Sequence, residues 1–280
     1  MQYISTTING IDGTKADFRV YSIDNSKEMD PARRRPTVLV IPGGGYEFTS
    51  EREAEPVALK ILGAGYNAAI LRYSCAPSVY PTALLEAADA MKMLRENAEA
   101  WHINPDAIIA AGFSAGGHLA GNLATSAGDE TMRVHGYDPD AVRPNGLMLG
   151  YAVTTSGEYA HRGSFDKLLG AQGRNDVGLL EEVSIDRHID AKTPPTFIWH
   201  TVADESVPAQ GAMMTFAACV EAGVNVEAHF FPTGHHGLSL ASAEAAAAGD
   251  DHGVDVGVQQ WMPLFVEWLK RNFGDPAARA

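Results

Sequence analysis

The stretch Ile108-Ile109-Ala110-Ala111-Gly112-Phe113-Ser114-Ala115-Gly116-Gly117-His118-Leu119-Ala120 carries the residues best suited to nucleophilic chemistry. It runs from an apolar segment through Gly-x-Ser-x-Gly into a helical pattern rich in small side chains. That order is what a nucleophile elbow requires, a strand-to-helix turn so tight that Ser114 must take strained dihedrals. Gly112 and Gly116 leave room beside it for hydrogen atoms only. Gly117, Ala120, Gly121 and Ala124 predict a helix lying close to its sheet. The backbone N–H of Ala115 falls at the helix start, where the dipole and unpaired donors favour a developing negative charge.

A serine hydroxyl is a weak nucleophile until a base takes its proton and a third group holds that base. Behind an elbow of this kind the acid and then the histidine follow the serine along the chain. Val202-Ala203-Asp204-Glu205-Ser206-Val207-Pro208 offers Asp204 as the acid, with Glu205 as the neighbouring alternative; the shorter side chain nearer the strand end favours Asp204. Pro232-Thr233-Gly234-His235-His236-Gly237-Leu238 offers two adjacent histidines, which chemistry alone does not separate. His229 lies within a strand, and His161 and His188 precede the acid. Donors for an oxyanion are the third requirement, and Pro42-Gly43-Gly44-Gly45-Tyr46 can turn side-chain-free backbone toward a substrate oxygen. The same loop is not a dinucleotide fingerprint, because Glu47-Phe48 break Gly-x-Gly-x-x-Gly, and no Gly-Lys pair supplies a Walker loop. There is no His-Glu-x-x-His, and Asp250-Asp251-His252 lacks ligand spacing, so neither metal nor cofactor is expected.

These residues need a scaffold, and the hydropathy pattern provides one. Residues 3–23 read as a hairpin, with Asn9-Gly10 and Asp12-Gly13 as turn chemistry. Strands follow at Thr37–Ile41, Asn67–Tyr73, the elbow strand, Gly146–Tyr151, Thr196–Thr201 and Val226–Phe231. Helical periodicity occupies 52–63, 82–98, 209–222 and 258–272. Apolar strands alternating with helices, after an antiparallel hairpin, predict an α/β fold: a mostly parallel central sheet covered on both faces. Residues 152–192 differ. They are polar and aromatic-sprinkled, with one short helical pattern near Phe165–Leu169, and a segment this long between sheet strands reads as a lid or pocket wall. The whole chain, 1–280, reads as one domain carrying that insertion.

Composition narrows the function classes. Acidic residues outnumber basic ones by 35 to 21, a formal charge of −14, which argues against nucleic acid or an anionic membrane as partner. The basic run Arg33-Arg34-Arg35, flanked by prolines, predicts a solvated loop. Two distant cysteines, Cys75 and Cys219, suggest a reducing compartment. The N-terminus shows no signal-peptide pattern, and no apolar run reaches the roughly 18 residues of a membrane span. A cytoplasmic protein is expected; a homo-oligomer is compatible with all of this.

Taken together, the triple-glycine loop, Gly-Phe-Ser-Ala-Gly-Gly-His-Leu-Ala, Asp204-x-x-Val207-Pro208 and Gly234-x-His236-Gly237 resemble the α/β-hydrolase superfamily. The closer likeness is to bacterial acetyl xylan esterases and carbohydrate acetylesterases, with hormone-sensitive-lipase-like relatives. Ser50-x-Arg52-Glu53-x-Glu55-Pro56, Leu71-Arg72-Tyr73-Ser74 and Tyr80-Pro81 also resemble these proteins, and the likeness spans about residues 37–272. It implies an α/β-hydrolase fold, Ser114 as nucleophile, Asp204 as acid, His236 as base, and Gly44, Gly45 and Ala115 as oxyanion donors. One departure stands out: many lipase-like relatives place His before the three glycines, where this chain has Pro42, so the loop must be held otherwise, with Arg52 or Glu53 as candidates. The implied activity is a serine esterase removing short acyl groups, acetyl above all, from xylo-oligosaccharides or related small-molecule substrates. Tyr46, Tyr151, His161 and Arg162 are candidate substrate contacts. A broad short-chain carboxylesterase is the alternative, and a non-catalytic ligand-binding protein of the same fold is the reading from a different class.

Overall fold

Strands in which every side chain is apolar need cover on both faces, and the chain meets that need with a single twisted sheet. The computed structural model describes residues 1–126, 129–250 and 252–276. Its strands are β1 (Gln2–Asn9), β2 (Lys15–Ser22), β3 (Arg35–Ile41), β4 (Asn67–Arg72), β5 (Ile103–Phe113), β6 (Gly146–Gly150), β7 (Thr196–Thr201) and β8 (Val226–Phe231). They are ordered β1-β2-β4-β3-β5-β6-β7-β8. The first three of that order are antiparallel neighbours, and every pairing from β4 to β8 is parallel. The expected α/β architecture with N-terminal antiparallel strands is therefore what forms.

The helices are α1 (Glu55–Gly63), α2 (Thr82–Glu96), α3 (Ser114–Ser126), α4 (Glu130–Val134), α5 (Pro139–Val142), α6 (Arg162–Gly173), α7 (Val177–Glu182), α8 (Ala209–Glu221) and α9 (Trp261–Phe273). Alternation along β3 divides the core in two. Leu39 and Ile41 pack with Leu84 and Met91 of α2, Leu119 and Leu123 of α3 and Ala212 of α8. Val38 and Val40 pack with Val57 and Ile61 of α1 and with Trp261, Phe265 and Trp268 of α9. The parallel strands all end at one rim, so the loops after β3, β5, β7 and β8 gather there, where open α/β sheets place their ligands.

Two expectations need correction. Residues 152–192 hold two helices, α6 and α7, and a 3₁₀ turn at Ile185–Arg187, rather than one short helical pattern. Local capping makes them: the His161 ring accepts the Ser164 N–H, and Asp176 accepts the N–H groups of Gly178 and Leu179. Gly170, at φ 66°, interrupts α6 and blurs its periodicity. Arg35 is not in a solvated loop. It opens β3, is buried, and donates to the carbonyls of Gly65 and Pro276. Among the described residues, no helix is long and apolar enough to cross a membrane.

Candidate active site

The elbow forms where β5 meets α3, and steric contacts explain its sequence. A Cβ on Gly112 would stand 2.2 Å from the Gly116 carbonyl oxygen, and one on Gly116 would stand 2.2 Å from that of Ile41. Real Cβ atoms do not approach so closely, so strand and helix can meet here only through glycine. Ser114 sits at φ 51°, a left-handed conformation that costs a non-glycine residue on the order of 1–3 kcal/mol. Such strain persists where the surrounding structure over-determines the turn, and it stands Oγ up at the sheet rim.

From Oγ a chain of hydrogen bonds runs inward. Ser114 Oγ lies 2.8 Å from His236 Nε2, and His236 Nδ1 lies 2.7 Å from Asp204 Oδ2. The carboxylate makes Nδ1 the protonated nitrogen, so Nε2 accepts the serine proton. Asp204 Oδ1 in turn accepts the N–H groups of Ser206 and Val207, both at 2.9 Å. Burial raises the Asp204 carboxyl, yet hydrogen bonds from His200, His236 and the Val207 N–H outweigh it and hold the group well below the usual carboxylate range. His235 turns the other way, its Nδ1 donating to the His236 carbonyl and its Nε2 lying 3.1 Å from Asp250 Oδ2. Glu205 is exposed, whereas Asp204 is buried.

The glycine loop closes the other side of the serine. A Cβ on Gly43 would stand 2.8 Å from Ser114 Cβ, so the loop presses against the nucleophile turn. Gly44 and Gly45 take φ 129° and 65°, accessible to glycine. Among the described residues, nothing accepts the N–H groups of Gly44 or Gly45, while the Gly44 carbonyl accepts from Glu47 N and Phe48 N. With the N–H of Ala115 at the start of α3, these amides are the donors available to a negative oxygen beside Ser114.

What holds this loop without a histidine at position 42 is a buried carboxylate. Glu53 Oε2 accepts the Gly43 N–H at 2.6 Å, and Oε1 accepts the Tyr151 hydroxyl at 2.7 Å. Burial pushes the Glu53 carboxyl up, opposed by those two bonds. Tyr151 itself accepts the Ser239 N–H at 2.9 Å and sets its ring edge-on to His236, centroids 5.1 Å apart. The adjacent Arg52 acts on a different loop, its guanidinium donating to the Gly237 and Ala245 carbonyls. Thus Arg52 pins the loop of the histidine and Glu53 pins the loop of the glycines.

The four candidate substrate contacts divide. Tyr46 and Tyr151 are buried with their hydroxyls committed, Tyr46 to His118 Nδ1 at 2.6 Å and Tyr151 to Glu53. Both stand behind the site as supports. His118 donates Nε2–H to the Val183 carbonyl, and burial pulls its pKa down to about 4, so it is a neutral pin between α3, the glycine loop and the 152–192 segment. Arg162 is exposed and engaged with Asp166 and the Arg174 carbonyl, away from the serine's hydrogen-bond chain. His161 is half-buried; burial and then the charge of His236 lower its pKa. Ser164 N–H and Oγ both face its Nδ1, which leaves the proton on Nε2. Ser164 Oγ in turn is the nearest group to Gly45, 3.9 Å from where a Cβ would stand. Sequence inspection missed the supporting roles of Tyr151 and Ser239, since nothing in their spacing links them to Glu53. Asp251, of the Asp250-Asp251-His252 run, lies outside the described residues.

Comparison with known proteins adds ancestry to this geometry. Endo-1,4-beta-xylanase B of Butyrivibrio fibrisolvens is 33% identical over 215 residues, covering 75% of this chain and 34% of that protein. An acetylxylan esterase of Xylanibacter ruminicola is 28% identical over 242 residues, covering 84% of this chain and 46% of that protein. The chain thus spans between a third and a half of the length of these two curated relatives. Among solved structures, an acetyl ester-xyloside bifunctional hydrolase from Caldicellulosiruptor lactoaceticus superposes with a TM-score of 0.78 at 34% identity, covering 92% of this chain and 88% of that one. The BD-FAE family profile matches residues 24–217, which include the glycine loop, the elbow and Asp204. With more than half its length matched, and with the α/β-hydrolase sheet and elbow in place, the chain belongs to the BD-FAE family.

Proposed function

We propose that this protein is a serine carboxylesterase that hydrolyses short acyl esters, acetyl first, on soluble xylo-oligosaccharides or related sugars. The observation that carries the reading is the continuous hydrogen-bond chain Ser114–His236–Asp204 beside the amides of Gly44 and Gly45, which find no acceptor among the described residues. As the ester carbonyl meets Ser114 Oγ, His236 Nε2 takes the hydroxyl proton and Asp204 stabilises the imidazolium. The carbonyl oxygen becomes an oxyanion facing the N–H groups of Gly44, Gly45 and Ala115, where one preorganised donor is worth about 10²–10³ in kcat. The imidazolium then protonates the leaving alcohol, an acyl-serine remains, and water activated by the same histidine releases the acid. The names of the acetylxylan esterase and acetyl ester-xyloside hydrolase relatives support acetylated sugars as the substrate class. The 152–192 segment is proposed as the wall over the acyl side, since Ser164 stands over Gly45 and Lys167 reaches Glu47 beside the glycine loop.

A fluorophosphonate is expected to add one label per chain, at Ser114. Ser114→Ala should leave about 10³–10⁴-fold catalysis over water; a label elsewhere, or full turnover by the variant, would reassign the nucleophile. Substrate class is decided by kcat/KM on acetylated xylo-oligosaccharides against p-nitrophenyl butyrate and longer esters. Preference for the longer esters with no acetate released from sugars would leave a broad carboxylesterase.

A further inference from the structure

Beside the loops that carry Asp204 and His236 the structure holds a cavity of about 650 Å³ that the triad chemistry does not use, and its lining includes His236 itself. Its walls are the loop after β7, with Glu205, and the loop after β8, with Thr233 and His235, closed by His252 and Asp255. The volume falls within the usual range of about 300–1,000 Å³ for ligand pockets. We propose that this cavity is the subsite for the sugar of the leaving alcohol, taking a neutral oligosaccharide and rejecting acid-substituted ones; this rests on the carbohydrate-esterase reading above.

Three observations carry it. The first is position. His236 hands its proton to the departing oxygen and is itself a lining residue of this cavity, so a sugar attached to that oxygen can extend past the imidazole into it. The second is chemistry. The lining brings the hydroxyls of Ser206 and Thr233, the imidazoles of His235 and His252 and the carboxylates of Glu205 and Asp255 to one cavity, a set of donors and acceptors that suits rows of sugar hydroxyls. Glu205 and Asp255 accept hydroxyl protons, and both repel a uronic acid. The third is prior order. Thr233 Oγ donates to Asp255 Oδ2 at 2.9 Å, Asp255 Oδ1 accepts the N–H groups of Gly257 and Val258, and His235 meets Asp250. The walls are thereby fixed before any ligand arrives, which lowers the cost of binding.

The test separates binding from turnover by using the Ser114→Ala protein and xylotriose, the alcohol without its acetyl group. Titration followed by the ring resonances of His235 and His252 should show saturable shifts. Glu205→Gln with His252→Ala should weaken binding by about tenfold or more, the loss expected for hydrogen bonds to charged groups. Val254→Trp, which plugs the cavity from a half-exposed lining position, should abolish it. Xylotriose bearing a glucuronic acid should bind at least about tenfold more weakly than the neutral sugar. Absence of saturable shifts, or equal affinity in all variants, overturns the subsite. Hydrolysis of p-nitrophenyl acetate by the Ser114-containing protein judges the esterase reading separately. That rate should stay within about twofold in Glu205→Gln/His252→Ala, because a small aryl ester has no sugar to lose. A parallel loss on this ester would also overturn the assignment of these residues to the sugar.

Discussion

Two neighbouring histidines show how much a single residue's direction decides. His236→Ala is expected to remove turnover, while His235→Ala, whose ring faces Asp250, should keep most of it; steady-state assays of both variants check this. Asp204→Asn should cost about 10⁴-fold in kcat, because the neutral amide no longer fixes the imidazole tautomer. The same residue makes a pH statement. Its carboxyl is held below its unfolded value, so its stabilisation is complete above about pH 4 and is lost as the pH falls through the folded pKa. Unfolding free energies of wild type and Asp204→Asn, measured from neutral pH to about pH 2, should converge toward the acid end. Glu53 behaves with the opposite sign, because burial raises its carboxyl. Its contribution is complete below about pH 4 and declines as the pH rises through the folded value. Glu53→Gln should therefore gain in Tm relative to wild type between about pH 4 and pH 8. The amide can keep the Gly43 N–H but leaves the Tyr151 hydroxyl without its acceptor. Activity should fall by about ten- to a hundredfold, as when reacting groups are displaced by up to about 1 Å.

At the level of elements, the site depends on how closely backbone segments approach. The β5–α3 turn and the loop after β3 touch through Gly116, where an added Cβ would lie 2.2 Å from the Ile41 carbonyl oxygen. Gly116→Ala cannot be relieved by a side-chain rotation, since the clash is with backbone. It should destabilise by at least the roughly 1–3 kcal/mol typical of overpacking, read as a fall in the urea midpoint together with loss of fluorophosphonate labelling. Arg52→Ala acts between elements in another way. It removes the donors to Gly237 and Ala245 and frees the loop that carries His236, so kcat should fall more than KM rises. The aromatic floor beneath that loop, Tyr151 against Trp199 and Trp199 stacked on Trp261 at 4.9 Å, keeps the variant folded enough to assay.

For the whole molecule, the formal charge of −14 sets the field a substrate meets. An anionic ester approaches against that field and a neutral one does not. Raising the salt from about 10 mM to 150 mM shortens the Debye length from roughly 30 Å to 8 Å. The ratio of kcat/KM for a glucuronic-acid-bearing acetyl oligosaccharide to that for its neutral counterpart should rise over this range. A ratio independent of salt would mean that only the local carboxylates, and not the overall charge, discriminate. The sheet supplies the frame for all of these effects, since one unbroken ladder from β1 to β8 fixes the serine, acid and histidine loops on a common rim.

The sheet, the elbow and the order of chemical groups along the chain were legible before any contact was known. Apolar alternation and glycine spacing are local properties that backbone sterics translate directly into structure. Gly112-x-Ser114-x-Gly116 admits one kind of turn, and loops after parallel strands must share an edge. Other features depended on the tertiary structure. Which histidine meets Ser114, and that Tyr46 and Tyr151 are supports and not walls, depend on contacts between residues 72 to 122 positions apart, and even the Glu53 carboxylate that compensates for Pro42 reaches Gly43 across 10 positions and a change of element. No periodicity encodes such contacts, because a buried carboxylate or phenol takes its role from whatever polar group the packed core leaves facing it. The helices of the 152–192 segment fall between these cases: their caps are written locally, at His161 and Asp176, but their place over the glycine loop is fixed by packing on α3, where Gly121 gives room to Ile185.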